Sequence, residues 1–137
     1  MSQLTNKVQI VYTDGSCIPN PGPGGWAFVV LDYQGYEWHV SGGEDYSTNN
    51  QMELQAVIEA LEFTPDMKYY KIYSDSMYVI KCAKGTWARK KNIDRWLEYD
   101  RVSKGKIIEW KWVKGHSGNE YNEIVDYSAK MEAKNKK

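Results

Sequence analysis

Val8–Ser16, VQIVYTDGS, restricts the fold more than any other stretch, because an apolar run meets a single carboxylate and then a glycine. Branched Val8, Ile10 and Val11 and aromatic Tyr12 suit a pleated, buried backbone rather than a helix. Gly15 permits a sharp exit that a side chain would resist, so Asp14 is expected where the strand ends. A carboxylate held at the carboxyl end of a central strand faces the crevice where α/β sheets take their ligands. Asp before Gly is also an ordinary turn pair, and that reading stands unless other acids converge on it.

The 137 residues are 42% hydrophobic and 14% aromatic, enough for one domain across 1–137 with its own core and loose ends at 1–6 and 134–137. Cys17 and Cys82 have no partners at zinc-binding spacing, and free thiols fit a reducing, cytoplasmic setting. The longest apolar run, Trp26–Leu31, is six residues, too short to span a bilayer, so no membrane partner is expected. The N-terminus lacks the basic-then-apolar pattern of a signal peptide. Formal net charge is zero, which at first argues against a polyanion. The distribution reverses that impression. Residues 1–80 carry three Lys/Arg and ten Asp/Glu, whereas residues 81–114 carry eleven and four. Such segregation fits cations held in one part and phosphates in another, with solvated surface as the plain alternative.

Along the chain, Cys17–Gly25, CIPNPGPGG, reads as a turn-rich loop. Trp26–Leu31 and Tyr36–Ser41 follow as strands around a turn at 32–35, giving an antiparallel meander with the first strand. After a polar stretch, Thr48 is a candidate N-cap with Gln51 three residues on, and Met52, Leu54, Val57, Ile58 and Leu61 keep helical spacing until Pro65. Tyr69–Ser74 is a fourth strand ending in Asp75. Ser76–Lys84 is a short helix, Gly85–Asn92 a basic loop, and Ile93–Val102 a helix. Ile107–Val113 alternates as a fifth strand, Gly115–Glu120 is a glycine-flanked loop with His116, and Glu123–Ala133 is the last helix. Strand–helix–strand order implies right-handed crossovers, which would lay the fourth strand parallel to the first and bring Asp14 beside Asp75.

Four acids on four elements are thereby singled out: Asp14, Glu53, Asp75 and Asp126. Glu53 has an ordinary alternative, an anion in the first turn of a helix. Carboxylates packed together repel unless cations hold them, and hard oxygen donors suit Mg²⁺ or Mn²⁺. Two such ions about 4 Å apart can activate a water and stabilise the leaving oxygen of a phosphodiester.

TDGSCIPNPGPGGWA, STNNQMEL, IYSDSMYV, WKWVKGHSGNE and the trailing NEIVD together resemble type-1 ribonuclease H, in the right order from Val8 to about Ala133. The resemblance implies an α/β, RNase H-like fold: a five-stranded mixed sheet, with strands 1–3 as a meander and strands 4 and 5 parallel, flanked by helices. It implies an endonuclease that hydrolyses the RNA strand of RNA–DNA hybrids by two-metal-ion catalysis, leaving 5′-phosphate and 3′-hydroxyl ends. The family's metal quartet falls on Asp14, Glu53, Asp75 and Asp126, with two Mg²⁺ when substrate is bound and Mn²⁺ able to substitute. Asp14 would bridge both ions, and Asp126 would hold the nucleophile-side one. His116 would aid catalysis from its loop by handling a proton or helping product leave.

Cys17, Asn20, Asn49, Asn50 and Gln51 match or border positions that test the 2′-hydroxyl in the family. Thr48 and Asn92 match part of its DNA-phosphate pocket, and Trp87 resembles the tryptophan of its DNA groove. Trp96, Trp110 and Trp112 are left to packing. Two departures stand out. GTWARKK, 85–91, is too short for the basic protrusion of many members, so Arg89, Lys90 and Lys91 would be a partial substitute and the grip weaker. Tyr46 stands about where some members place an arginine in the phosphate pocket. A monomer is expected. The competing readings are a nuclease or strand-transfer enzyme acting on DNA, and a non-catalytic hybrid-binding module.

Overall fold

The computed structural model describes residues 7–114 and 118–135. Its strands are β1 (Val8–Cys17), β2 (Gly22–Leu31), β3 (Glu37–Ser47), β4 (Tyr69–Ser74) and β5 (Ile107–Trp112). Its helices are α1 (Asn49–Phe63), α2 (Met77–Ala83), α3 (Ile93–Ser103) and α4 (Glu120–Asn135). The strands form one sheet in the order β3-β2-β1-β4-β5. β1, β2 and β3 pair antiparallel, while β4 lies parallel to β1 and β5 parallel to β4.

β1 is central because its alternate residues bury on opposite faces. Val11 packs with Leu54, Val57, Ile58, Leu61, Tyr70 and Ile72 under α1, and Trp96 of α3 joins this larger core. Tyr12 packs with Ala27, Val29, Val125 and Ala129 under α4. Each fully buried leucine or isoleucine contributes about 2 kcal/mol through removal of apolar surface from water. Two polar anchors fix the layers. Arg95 of α3 donates to both carboxylate oxygens of Glu44 on β3, at 2.8 and 2.7 Å, and to Gln55 on α1 at 2.7 Å. The Lys106 ammonium donates to the carbonyls of Thr64, Pro65 and Met67, fastening the loop between α1 and β4 to the start of β5.

The structure corrects three expectations. Cys17–Gly25 is not a long loop: β1 runs to Cys17 and β2 begins at Gly22, leaving only 18–21 as the connection. β3 continues through Gly42 and Gly43 to Ser47 rather than stopping at Ser41. These glycines sit in paired strands because neighbouring atoms occupy the space of a side chain. A Cβ at Gly42 would lie 2.5 Å from the Trp26 ring, and one at Gly25 would lie 2.1 Å from the Ala129 carbonyl oxygen. The last helix also starts earlier, at Glu120, because Asn119 accepts the Asn122 amide at 2.9 Å and acts as its cap.

Candidate active site

Asp14 lies inside β1 as far as β2 is concerned, opposite Ala27, but beyond the last parallel pair with β4, Tyr12 and Tyr73. Where that ladder stops, β4 ends at Ser74 and the chain turns away through Asp75. The two acids therefore flank the same opening in the sheet. Asp14 is 3% exposed, and its Oδ1 accepts the Gly15 amide at 2.9 Å.

Glu53 reaches them because of Gly15. A Cβ there would lie 2.2 Å from the Met52 carbonyl carbon and 2.3 Å from the Glu53 nitrogen, so only a bare backbone lets α1 press this close. Thr48 caps α1 by accepting the Gln51 amide at 3.1 Å, which sets where the helix begins and hence which residue meets β1. Asp75 is framed from both sides. Ser76 caps α2, Ser74 Oγ accepts the Ser76 amide at 3.0 Å, and the Trp112 indole donates to the Asp75 carbonyl at 3.3 Å.

One carboxylate oxygen from each of Asp14, Glu53 and Asp75 lies within 4.8 Å of the others. Burial, followed by the neighbouring charge of Asp75, pushes the Asp14 carboxyl up from 3.8 to about 8. Burial, then the charges of Asp14 and Asp75, raises Glu53 well above the usual carboxylate range. Glu53 Oε1 is buried without a hydrogen-bond partner. Like charges crowded into a buried site, with an orphaned oxygen among hard donors, fit a divalent cation of the Mg²⁺ or Mn²⁺ type. Asp126, on α4, stands outside this tight group. It pairs with Lys130 one turn on, at 3.2 Å, while its charge still bears on Asp14. His116 lies outside the described residues.

The residues expected to touch substrate form a hydrogen-bonded frame. Asn49 Oδ1 accepts the Cys17 amide at 2.7 Å, and the Asn49 amide donates to Asn20 Oδ1 at 3.0 Å. Gln51 Oε1 accepts from Ser47 Oγ at 2.9 Å rather than closing a capping box, and its Nε2 donates to Asn92 Oδ1 at 3.1 Å. Asn50 is exposed on the first turn of α1, and Trp87 is about half exposed in the loop before α3. Two expectations change. Arg89 donates to Asp100 and to the Cys82 carbonyl and lies 4.4 Å over the Trp96 ring, so it is a structural cation and not a spare phosphate contact. Lys90 and Lys91 stay exposed. Trp96 is buried as expected, but Trp112, the last residue of β5, is 52% exposed. Ser47, Tyr78 and Trp112 belong to the frame around the site, yet each reads in sequence as an ordinary polar or packing residue.

A meander continued by two parallel strands, with acids gathered where β1 and β4 part, defines the RNase H-like fold. A family model described as RNase H matches residues 6–134. The ribonuclease H of Ehrlichia ruminantium (strain Gardel) is 43% identical over 146 residues, covering 96% of this chain and 98% of its own. Among solved structures, LC9-RNase H1, a type 1 RNase H with the type 2 active-site motif, is similar with a TM-score of 0.80 and 29% identity, over 96% of this chain and 74% of that one. LC11-RNase H1 in complex with RNA/DNA hybrid shares the fold, with a TM-score of 0.73 and 23% identity over 90% of this chain and 97% of that one. The chain belongs to the RNase H family and is an endoribonuclease. The family is metal-dependent. No helix among the described residues is long and apolar enough to cross a membrane.

Proposed function

We propose that this enzyme cuts the RNA strand of RNA–DNA hybrids by two-metal-ion hydrolysis, leaving 5′-phosphate and 3′-hydroxyl ends. The observation that carries the reading is the approach of Asp14, Glu53 and Asp75 oxygens to within 4.8 Å where β1 and β4 part. These three, joined by Asp126 once Lys130 releases it, would hold the ions. Bound there, Mg²⁺, with Mn²⁺ as a substitute, supplies an activated water and neutralises charge on the phosphate. The protein's own part is positional. Gly15 and the Thr48 cap keep Glu53 at the cleft, and the Trp112 indole restrains the backbone of Asp75. His116 would move a proton or speed product release from its loop.

Recognition of RNA rests on groups that can test a 2′-hydroxyl. With its oxygen bonded to Cys17, the Asn49 carboxamide keeps two N–H donors for that task, and Asn20 and Asn50 flank it. Thr48 keeps its hydroxyl proton for a DNA phosphate, beside Asn92, while exposed Trp87 offers a stacking surface to the same strand. Support for hybrid as substrate includes the RNA/DNA hybrid held by LC11-RNase H1. We read the chain as a single domain over 1–137, working as a cytoplasmic monomer, in keeping with its two free buried cysteines. Matched RNA–DNA, RNA–RNA and DNA–DNA duplexes, each with EDTA, Mg²⁺ or Mn²⁺, test the proposal. Metal-dependent cleavage of the hybrid alone is expected; equal cleavage of the DNA duplex, or binding without turnover, overturns it.

A further inference from the structure

We propose that Tyr121 is a positioning residue for Asp126. Its ring props the first turn of α4 on the sheet and its hydroxyl ties that turn to β3, which together set where Asp126 stands relative to the other three acids. The inference rests on the reading of Asp126 as a ligand of one of the two ions. Asp126 lies outside the tight group of Asp14, Glu53 and Asp75, so its place depends on how α4 lies across β1 and β2.

α4 is gripped at two points of unlike depth. In its second half, Ala129 closes on Gly25 so tightly that a Cβ on the glycine would lie 2.1 Å from the Ala129 carbonyl oxygen. Near its start the contact is bulky instead. The Tyr121 ring lies 5.3 Å from that of Tyr12, at 32°, and Tyr12 in turn stacks on Tyr73 at 4.6 Å and 12°. Aromatic contacts of this kind add a preferred orientation to simple burial. Tyr12 and Tyr73 are also the last parallel pair of β1 and β4, directly before the parting that Asp14 and Asp75 flank. The aromatic trio therefore joins the three elements that lead to Asp14, Asp75 and Asp126. The Tyr121 hydroxyl donates to Glu37 Oε2 at 2.8 Å, and Glu37 Oε1 accepts from His39 Nε2 at 3.0 Å, which steadies the carboxylate on β3.

Asp126 lies between the two grips, five residues after Tyr121 and three before Ala129. Along the helix axis that is about 7.5 Å from the tyrosine and about 4.5 Å from the tight contact. If the start of α4 sank by about 1 Å around that contact, Asp126 would follow by roughly 0.4 Å. Mg²⁺ demands near-ideal octahedral geometry, whereas Ca²⁺ accepts irregular coordination, so a shift of that size weighs on Mg²⁺ more than on Ca²⁺. Tyr121 touches no reacting atom in this scheme; its effect reaches the ion through Asp126.

Calorimetric titration of Mg²⁺ and of Ca²⁺ into the metal-free enzyme, beside the Mg²⁺ concentration that gives half-maximal hybrid cleavage, tests the proposal. Tyr121→Ala removes ring and tie, and should weaken Mg²⁺ binding about tenfold but Ca²⁺ binding by no more than about twofold. The half-maximal Mg²⁺ concentration should rise in step. Tyr121→Phe keeps the ring and loses only the tie, so about a threefold effect on Mg²⁺ is expected. Asp126→Asn should itself weaken Mg²⁺ binding, and the double variant with Tyr121→Ala should match Asp126→Asn alone, since both changes act on one ligand. Additive effects, equal losses of Mg²⁺ and Ca²⁺, or unchanged Mg²⁺ binding in Tyr121→Ala overturn the role of Tyr121 and leave Asp126 as a ligand. Unchanged Mg²⁺ binding in Asp126→Asn removes that ligand, and this inference with it. If circular dichroism shows Tyr121→Ala unfolded at the assay temperature, Tyr121→Phe and Glu37→Ala break the tie from its two ends. Each should then weaken Mg²⁺ binding about threefold, and no change in either overturns the proposal.

Discussion

Asp14 is pulled in opposite directions by folding and by function. Burial and Asp75 raise its carboxyl from 3.8 to about 8, so the native metal-free state keeps a proton that the unfolded chain gives up. Below pH 4 both states are protonated and the site costs nothing on this account. As pH climbs from about 4 towards 8, the unfolded chain ionises first, and native stability drains away. Asp14→Asn removes that drain. In EDTA the Tm advantage of the Asp14→Asn variant over the wild type should therefore widen steadily across this window and be largest near pH 8. Differential scanning calorimetry at several pH values checks it; an advantage that is flat or shrinks with pH contradicts the electrostatic account. Divalent metal should reverse the order. Mg²⁺ or Mn²⁺ should stabilise the wild type but not Asp14→Asn, and hybrid cleavage by the variant should fall by at least about a thousandfold. Asp75 was legible in sequence as an acid where a strand stops; Asp14 was singled out as another, but β1 runs on through Gly15 to Cys17 and only its ladder with β4 ends before Asp14. The Lys130 partner of Asp126 was not legible, because an i,i+4 pair on a surface helix looks the same whether or not it guards a site.

At the level of elements, two glycines place two helices. Gly15 admits α1 and Gly25 admits α4, each by leaving a gap that backbone of the incoming helix fills. A methyl at either position lands within about 2 Å of main-chain atoms, which cannot give way as a flexible side chain can. Gly15→Ala and Gly25→Ala should each cost about 3 kcal/mol or more in urea unfolding, as overpacking against rigid backbone does. They should also differ in metal binding. Gly15→Ala displaces Glu53 directly and should weaken Mn²⁺ binding by calorimetry about tenfold or more, whereas Gly25→Ala should act through Asp126 and weaken it less. Equal weakening by both would break the link between Gly15 and Glu53. Helices were readable because capping residues and apolar spacing are local: Thr48 and Leu54 suffice for α1. The strand extents were not. Gly22–Gly25 and Gly42–Gly43 carry turn-forming residues in sequence, and only the pairing of β2 with β3 and the pressure of Trp26 and α4 turn them into sheet.

For the molecule as a whole, charge is divided more finely than the sequence suggests. Of the three consecutive basic residues before α3, Arg89 is held against Trp96 and Asp100, leaving Lys90 and Lys91 for phosphate. Lys90→Ala and Lys91→Ala should each weaken hybrid binding and lower the log–log salt slope by about 0.8, the release of roughly one counterion. Arg89→Ala should lower Tm and leave that slope unchanged; a slope that falls with Arg89→Ala would return it to the binding surface. Mixed-sheet topology was legible, since alternating strands and helices leave few right-handed routes, but the division of labour among like charges depends on where aromatic faces end up. The second face of the sheet carries a further implication. Tyr12, Ala27 and Val29 are roofed by Val125 and Ala129, which belong to the final helix. While the ribosome still holds those closing residues, the emerging polypeptide displays a bare greasy flank, so messages cut short before α4 should yield sticky, chaperone-bound fragments.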